Sequence, residues 1–260
     1  MLLDDVHKYK DERRIPIDQV GIKGIKYPIT IADKLDRAQQ TIATINMFVD
    51  LHPDRKGTHM SRFVEIIHEY RHAVHLETIP LILQAMRDRL DARSAYLDFS
   101  FPFFLPKKAP VSELVGYFDY QCRFWGKLDE KGLDLFRAVT VPVATLCPCS
   151  KQISDRGAHN QRSVITVSFR TKGLCWMEEV ILMAEGSASA PLFSLVKRSD
   201  EKFLTEAAYD KPCFVEDVVR ELALKLDAHP SITWYAIEAD SSESIHNHNA
   251  YAFIKSKKPV

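Results

Sequence analysis

The sequence predicts an α+β fold, a duplicated module of antiparallel strands carrying helices on one face. Two amphipathic segments share one spacing of apolar residues, and each is followed by an alternating stretch. In the first, Ile79, Ile82, Leu83, Met86 and Leu90 fall at i, i+3, i+4, i+7 and i+11, a single helical face. Val215, Val218, Val219, Leu222 and Leu226 repeat that pattern 136 residues later. Both segments close alike, as Leu90-Asp91-Ala92 and Leu226-Asp227-Ala228.

The strands follow from period-2 alternation. Ala95, Leu97, Phe99, Phe101 and Phe103 alternate with Tyr96, Asp98, Ser100 and Pro102; Ile232, Trp234 and Ala236 alternate with Thr233 and Tyr235. Partner strands are expected at Tyr117 to Gly126 and Asn249 to Lys255. A weaker echo pairs Asp54-Arg55-Lys56-Gly57-Thr58-His59 with Asp155-Arg156-Gly157-Ala158-His159, after the alternating segments Thr41 to Leu51 and Ala138 to Leu146. Ser163 to Arg170 adds a strand, and Trp176 to Glu185, Phe203 to Tyr209 and Val215 to Leu226 read as helices. The second half is thus strand, strand, helices, strand, strand, and the first half a shorter variant. Helices segregated to one face of antiparallel strands give an α+β architecture, not a doubly wound sheet. Such a sheet has exposed edges, which assembly into closed barrels removes, so a homo-oligomer is expected.

Composition narrows the function. Lys+Arg and Asp+Glu are both 35, whereas neutralising the phosphates of long nucleic acid calls for a basic excess. Met1 to Arg14 is mostly charged, with no apolar signal-peptide core, and apolar runs such as Val180 to Ala184 are far too short to span a bilayer. A cytoplasmic, soluble protein is expected, without nucleic-acid or membrane partners. Neither a P-loop nor a G-x-G-x-x-G fingerprint occurs, so any nucleotide is held by other means.

Five cysteines in such a chain argue against a disulfide framework. Cys122 alternates with Phe118, Tyr120 and Phe124 and reads as a small core residue. Two metal motifs compete. His68-Glu69-Tyr70-Arg71-His72 is a literal H-E-x-x-H, but Arg71 puts a cation beside the proposed zinc. It is better read as the polar face of a helix whose apolar side is Phe63, Val64, Ile66 and Ile67. The second motif is distributed over strand ends: Cys147 and Cys149, then His159, then Glu243, His246 and His248. Two connections at one end of a four-stranded antiparallel sheet would bring thiolate, imidazole and carboxylate together. That donor set suits Zn²⁺, Mn²⁺ or Fe²⁺ better than Ca²⁺. The competing reading is a structural thiol pair beside solvated histidines.

Three segments resemble the type IB GTP cyclohydrolases: Cys147-Pro148-Cys149-Ser150-Lys151-Gln152-Ile153-Ser154 with Gly157-Ala158-His159-Asn160-Gln161-Arg162-Ser163, then Gly57-Thr58-His59-Met60-Ser61-Arg62-Phe63, then Glu243-Ser244-Ile245-His246-Asn247-His248-Asn249. The resemblance implies a tunnelling fold: two tandem ββααββ-like modules per chain, closing into barrels by oligomerisation, here a tetramer with active sites between subunits. The expected division is an N-terminal arm (1–27), a first module (28–130) and a second module (131–260) carrying most of the site. The implied reaction turns GTP and water into 7,8-dihydroneopterin triphosphate and formate, the first step of tetrahydrofolate biosynthesis.

Carbon 8 of guanine is a poor electrophile, so a water activated by a divalent metal is a sensible nucleophile. The later ring opening, ribose rearrangement and ring closure need proton shuttling near neutral pH, which suits histidine. By resemblance, Cys147 is the reactive cysteine and metal ligand, with Cys149 second in rank. His159 and Glu201 match metal-site residues, and Glu243, His246 and His248 ligate or move protons. Glu201 lies in Ser199-Asp200-Glu201-Lys202, which composition alone reads as a solvated loop. One divalent ion per site, Zn, Mn or Fe, is implied. Glu216 fits the buried glutamate that accepts hydrogen bonds from guanine N1–H and the 2-amino group, and the repeat places Pro80 at the matching position of the first module. Ser61-Arg62 and Arg162-Ser163 offer guanidinium forks and hydroxyls for the triphosphate, and read equally as exposed turn residues.

Overall fold

The computed structural model of the chain describes residues 5, 7, 9–34 and 38–257, which form two compact units. One runs to Pro102 and adds Arg123–Phe136; the other holds Phe103–Cys122 and the chain from Arg137 onward. The first unit contains β1 (Ile17–Ala32), β2 (Ala38–Leu51), α1 (Met60–Tyr70) and α2 (Thr78–Leu90), with part of β3 (Ala95–Lys108) and of β4 (Val115–Asp129). The second has the rest of those strands and most of β5 (Gly132–Leu146). It continues with α3 (Pro148–Ile153), β6 (Asn160–Thr171), α4 (Met177–Glu185), the short β7 (Ala190–Pro191), α5 (Arg198–Asp210), α6 (Val215–Ala228), β8 (Ile232–Ser241) and β9 (Ala250–Lys257). No helix among the described residues is long and apolar enough to cross a membrane.

In the first unit β1 pairs antiparallel with β2, and β2 with β3. Thr41, Ala43, Ile45, Met47, Val49 and Leu51 of β2 are all buried, one face of the strand. α1 buries Phe63, Ile66 and Ile67, and α2 buries the repeat residues Ile79, Ile82, Leu83, Met86 and Leu90. β1 begins at Ile17, ten residues before the end of the expected N-terminal arm. Its sequence gives little warning, because only Ile29 and Ile31 near its end are buried. The strand is held instead by its ladder to β2, interrupted by irregularities between Ile17 and Val20 and between Ile22 and Ile25. Between these irregularities the two strands come so close that a Cβ on Gly21 would lie 2.0 Å from the Met47 carbonyl oxygen, so no side chain fits there.

In the second unit the strands run β5-β6-β8-β9, antiparallel throughout, with β7 on β5. Val139, Val141 and Val143 of β5, Ile165, Val167 and Phe169 of β6, and Ile237 and Ala239 of β8 supply the sheet's share of the core. Val218, Val219, Leu222 and Leu226 of α6 and Val180, Ile181 and Ala184 of α4 supply the helices' share. Three helices of this unit, α4, α5 and α6, start alike. The backbone N–H before the helix donates to a carboxylate three residues on: Trp176 to Glu179 (2.9 Å), Lys197 to Asp200 (2.8 Å), Phe214 to Asp217 (3.0 Å). That closes a donor the helix leaves unpaired and puts negative charge at its positive end.

Three expectations need correction. Ser199-Asp200-Glu201-Lys202 is no solvated loop but the first turn of α5. Asp200 is fully buried and takes two further backbone donors, Val111 (2.8 Å) and Ser112 (2.9 Å), besides the Ser112 hydroxyl (2.6 Å). The matched helix ends also differ: Asp91 caps α2 in the left-handed region (φ 51°), whereas α6 runs through Asp227 to Ala228 and ends at an extended His229. Finally, the Gly-x-His echo joins unlike places, since His59 caps a helix and His159 precedes a strand. A motif of six residues is too short to carry its topology with it.

Candidate active site

The β5–β6 and β8–β9 connections open onto one cavity of about 500 Å³ in the second unit. Cys147, Cys149 and His159 line it from the first connection, His246, His248 and Glu243 from the second, and Glu216 from the start of α6. Cys147 is the residue before α3, and Pro148, its first residue, has no N–H to lose there. The half-buried Cys147 sulfur accepts the Ser150 N–H at 3.5 Å. Its own N–H donates to the His159 carbonyl (3.1 Å), and the His159 N–H donates to the Ser150 hydroxyl (3.2 Å). Ser150 therefore ties the cysteine and the histidine into one loop geometry.

His159 is also held from the side. Its Nδ1 lies 3.0 Å from Oε1 of Gln161, and the Gln161 amide donates to Glu243 Oε1 at 3.2 Å. An amide oxygen only accepts, so the proton of the neutral ring sits on Nδ1 and Nε2 keeps its lone pair. This is the arrangement in which a histidine is oriented to bind a metal. Glu243 Oε2 stands 3.9 Å from the same Nδ1, and both side chains are about 15% exposed. His246 and His248 lie in a turn rather than the extended chain expected, yet their rings stack with centroids 5.0 Å apart. A thiol, an imidazole and a carboxylate facing one cavity suit a zinc-class or ferrous ion. Their donor atoms are not gathered within 4.8 Å of one another, as those of two other groups of the described residues are.

Backbone alternation divides the remaining candidates. Thr145, Cys147, His159 and Gln161 face this cavity, while Ala144, Leu146, Asn160 and Arg162 line a larger one of about 790 Å³. Arg162 therefore opens away from Cys147. Ser163 opens onto neither cavity: it is buried, its hydroxyl 2.7 Å from that of Thr145 and 2.8 Å from that of Ser241, a ladder across β5, β6 and β8. Glu201 is exposed in α5 and lines neither cavity. Glu216 faces the cavity, but it is exposed in the single chain where a buried anchor was expected. Ser61 and Arg62 lie in the first turn of α1, in the other unit, and Arg62 donates to the Arg89 carbonyl.

The H-E-x-x-H segment does not form a metal site. α1 ends at Tyr70, so His72 is outside the helix that would pair it with His68. Both Glu69 oxygens accept from Arg89, and His68 Nδ1 meets the Tyr27 hydroxyl at 2.9 Å. Cys122 is buried as expected, and burial pushes its thiol far up. Sequence reasoning missed Gln161, Ser150 and Cys213. Gln161 could have been found from its place two residues after His159, on the same side of an extended chain. Cys213 lines the cavity with its sulfur 3.1 Å from the Ser189 hydroxyl, and burial raises its thiol too.

The profile of the family described as type I GTP cyclohydrolase folE2 matches residues 3–252. A GTP cyclohydrolase FolE2 of Geobacter sulfurreducens is 51% identical over 256 residues, covering 98% of this chain and 99% of that protein. One of Fervidobacterium nodosum is 48% identical over 255 residues, covering 98% of each. Among solved structures, a hyperthermostable mutant of Bacillus sp. TB-90 urate oxidase superposes with a TM-score of 0.55 at 7% identity, over 93% of this chain and 99% of that one. A hyper-thermostable AgUricase mutant gives 0.54 at 7% identity, over 93% and 92%. The chain thus shares the mixed α/β, antiparallel tunnelling fold of the urate oxidases.

Proposed function

Because the chain belongs to the type I GTP cyclohydrolase folE2 family, we propose that it is a metal-dependent, type IB enzyme that converts GTP and water to 7,8-dihydroneopterin triphosphate and formate, the first step of tetrahydrofolate biosynthesis. The observation that carries the reading is that Cys147, His159, Glu216, Glu243, His246 and His248, drawn from three separate stretches of sequence, line one cavity. Cys147 and His159 would hold one divalent ion, zinc, manganese or iron, with Glu243 or His246 as further ligands. When bound, that ion supplies Lewis-acid activation of water for attack at carbon 8 of guanine.

The chain's own groups do the rest. Gln161 fixes the His159 tautomer and ties it to Glu243. The stacked His246 and His248 line the cavity and are exposed, placed to move protons during the reaction. Glu216 accepts from guanine N1–H and the 2-amino group, a two-point contact that adenine cannot make. Its exposure in a single chain suits an anchor that becomes buried when a second subunit closes the site. Glu201 and Arg162, which do not line this cavity, and Ser61 and Arg62 of the first unit contribute to metal and triphosphate binding in that assembly. The chain is accordingly read as two tandem modules meeting near residue 130, closing into barrels as a cytoplasmic homotetramer.

The backbone N–H aimed at the Cys147 sulfur is also what a nucleophilic thiolate would take, so a covalent tunnelling-fold relative acting on another pterin or deazapurine is the second reading. One experiment separates them. Protein stripped by chelator receives zinc, manganese or ferrous iron separately, then GTP, and released formate and neopterin fluorescence after oxidation are measured. Both products, only with metal, are expected. Neither product with any metal, from folded protein, sinks the cyclohydrolase and advances the covalent thiol.

A further inference from the structure

The first unit carries a second cluster of metal-binding groups, which shares no residue with the site above. The ligand atoms of Asp5, His7 and His59 all lie within 4.8 Å of one another. His59 Nε2 is 3.1 Å from Asp5 Oδ2, and His7 Nδ1 is 3.6 Å from Asp5 Oδ1. A tetrahedral ion with bonds of about 2.0–2.2 Å holds its ligand atoms about 3.3–3.6 Å apart, so little movement is required. The rings sit 4.5 Å apart at 49°, and the side chains are between 27% and 48% exposed, which leaves an approach for an ion. Beside His7 and His59 is a void of about 20 Å³, enough for one water as a fourth ligand.

The backbone presents the cluster. His7, Tyr9 and Asp11 run along residues 54–57: the Gly57 N–H donates to the His7 carbonyl (3.4 Å), that of Lys56 to Tyr9 (3.0 Å), and that of Asp11 to Asp54 (3.3 Å). Gly57 leaves room for the His7 ring, since a Cβ there would stand 3.1 Å from His7 Cδ2. The two cations lining the void are turned to other partners, Arg55 to Asp91 and Arg62 to the Arg89 carbonyl. The other tight triad, Cys175, Glu179 and His229, is poorly suited. Glu179 Oε2, the oxygen that faces His229, already accepts the Trp176 N–H that opens α4, and Cys175 is buried.

We propose that Asp5, His7 and His59 form a divalent-cation site of the zinc class, which ties Asp5 and His7 to the N-cap of α1. Two imidazoles and one carboxylate favour zinc, cobalt or nickel over calcium or magnesium.

The test counts metal in full-length protein, stripped and then dialysed against buffered free zinc, for wild type, Cys147→Ala, and Cys147→Ala combined with His7→Ala or Asp5→Asn. Cys147→Ala should still bind one zinc per chain, and either added change should weaken that zinc about 100-fold or more. Zinc should also slow amide exchange at Lys56 and Gly57 in Cys147→Ala and not in the combined variants. Equal zinc affinity with and without His7 and Asp5, or exchange at those amides indifferent to zinc, overturns the site. The count in the Cys147→Ala background is independent of whether the GTP reading holds.

Discussion

Gln161 and Arg162 are neighbours in β6, yet they open onto different cavities. Gln161 lies between His159 and Glu243, while Arg162 lines the larger void with Asn160. This follows from strand geometry, in which successive side chains point to opposite faces. At the facing ends of β5 and β6 the residues turned to the Cys147 cavity are thereby the odd-numbered Thr145, Cys147, His159 and Gln161, while Cys149 reaches it from the turn of α3.

Gln161 is a positioning residue. Gln161→Leu keeps its bulk but releases both His159 and Glu243, and kcat should fall about 10–100-fold with a much smaller change in KM. The pH–rate profile should shift as well, since the ring is no longer held as the Nδ1–H tautomer. An unchanged profile and kcat would remove Gln161 from the site.

Cys147→Ala should abolish turnover and weaken metal retention at the second-unit site, read as loss of formate release and of one metal equivalent. Full activity with normal metal content would take Cys147 out of the mechanism.

Glu216→Gln turns part of an acceptor into a donor. GTP affinity, measured by calorimetry, should drop about 10–100-fold, the loss of hydrogen bonds to a charged acceptor. Metal content should stay as in wild type. Unchanged GTP affinity would refute the anchor.

Asp200 links stability to pH. Burial opposes its charge, but the Ser112 hydroxyl and the N–H groups of Ser112, Lys197 and Val111 outweigh it and hold the carboxyl well below its usual range. A lowered folded-state value gives stabilisation that is present above the unfolded value, about 4, and lost as the pH falls through the folded one. Asp200→Asn should lower stability at pH 7 and flatten its decline below about pH 4 in urea titrations. Parallel wild-type and variant curves would contradict this.

Two packing changes test the fold. Leu222→Ala empties a fully buried position in α6 and should cost about 2–5 kcal/mol in urea unfolding. Gly21→Ala drives a methyl group into the Met47 carbonyl and should speed amide exchange along β1 and β2, at a cost of at least about 1–3 kcal/mol. Wild-type exchange in that ladder would show that the close approach is not fixed.

Much of the fold was legible because burial has a period. The apolar repeats in α2 and α6 are the residues those helices bury, and β3 buries the alternation from Ala95 to Phe103. The start of β1 was not legible, since its residues there are exposed or half-buried and only pairing with β2 makes it a strand. The turn of α5 around Glu201 was missed because its charges serve as a cap: Asp200 is acidic in composition and buried in fact.

By itself the sequence determined the duplicated helix–strand pattern, the absence of a conventional nucleotide loop, and the set Cys147, His159, Glu243, His246 and His248 from which a metal site could be drawn. Only the tertiary structure decided that these face one cavity, that Arg162 and Ser163 do not join them, and that Gln161 fixes the histidine. The same holds for Asp5, His7 and His59, which lie within reach of one another across more than fifty residues of chain. Periodicity is written locally and can be read one segment at a time. Convergence depends on which strand ends and loops are brought together, and that is fixed by pairing and packing between segments distant in the sequence.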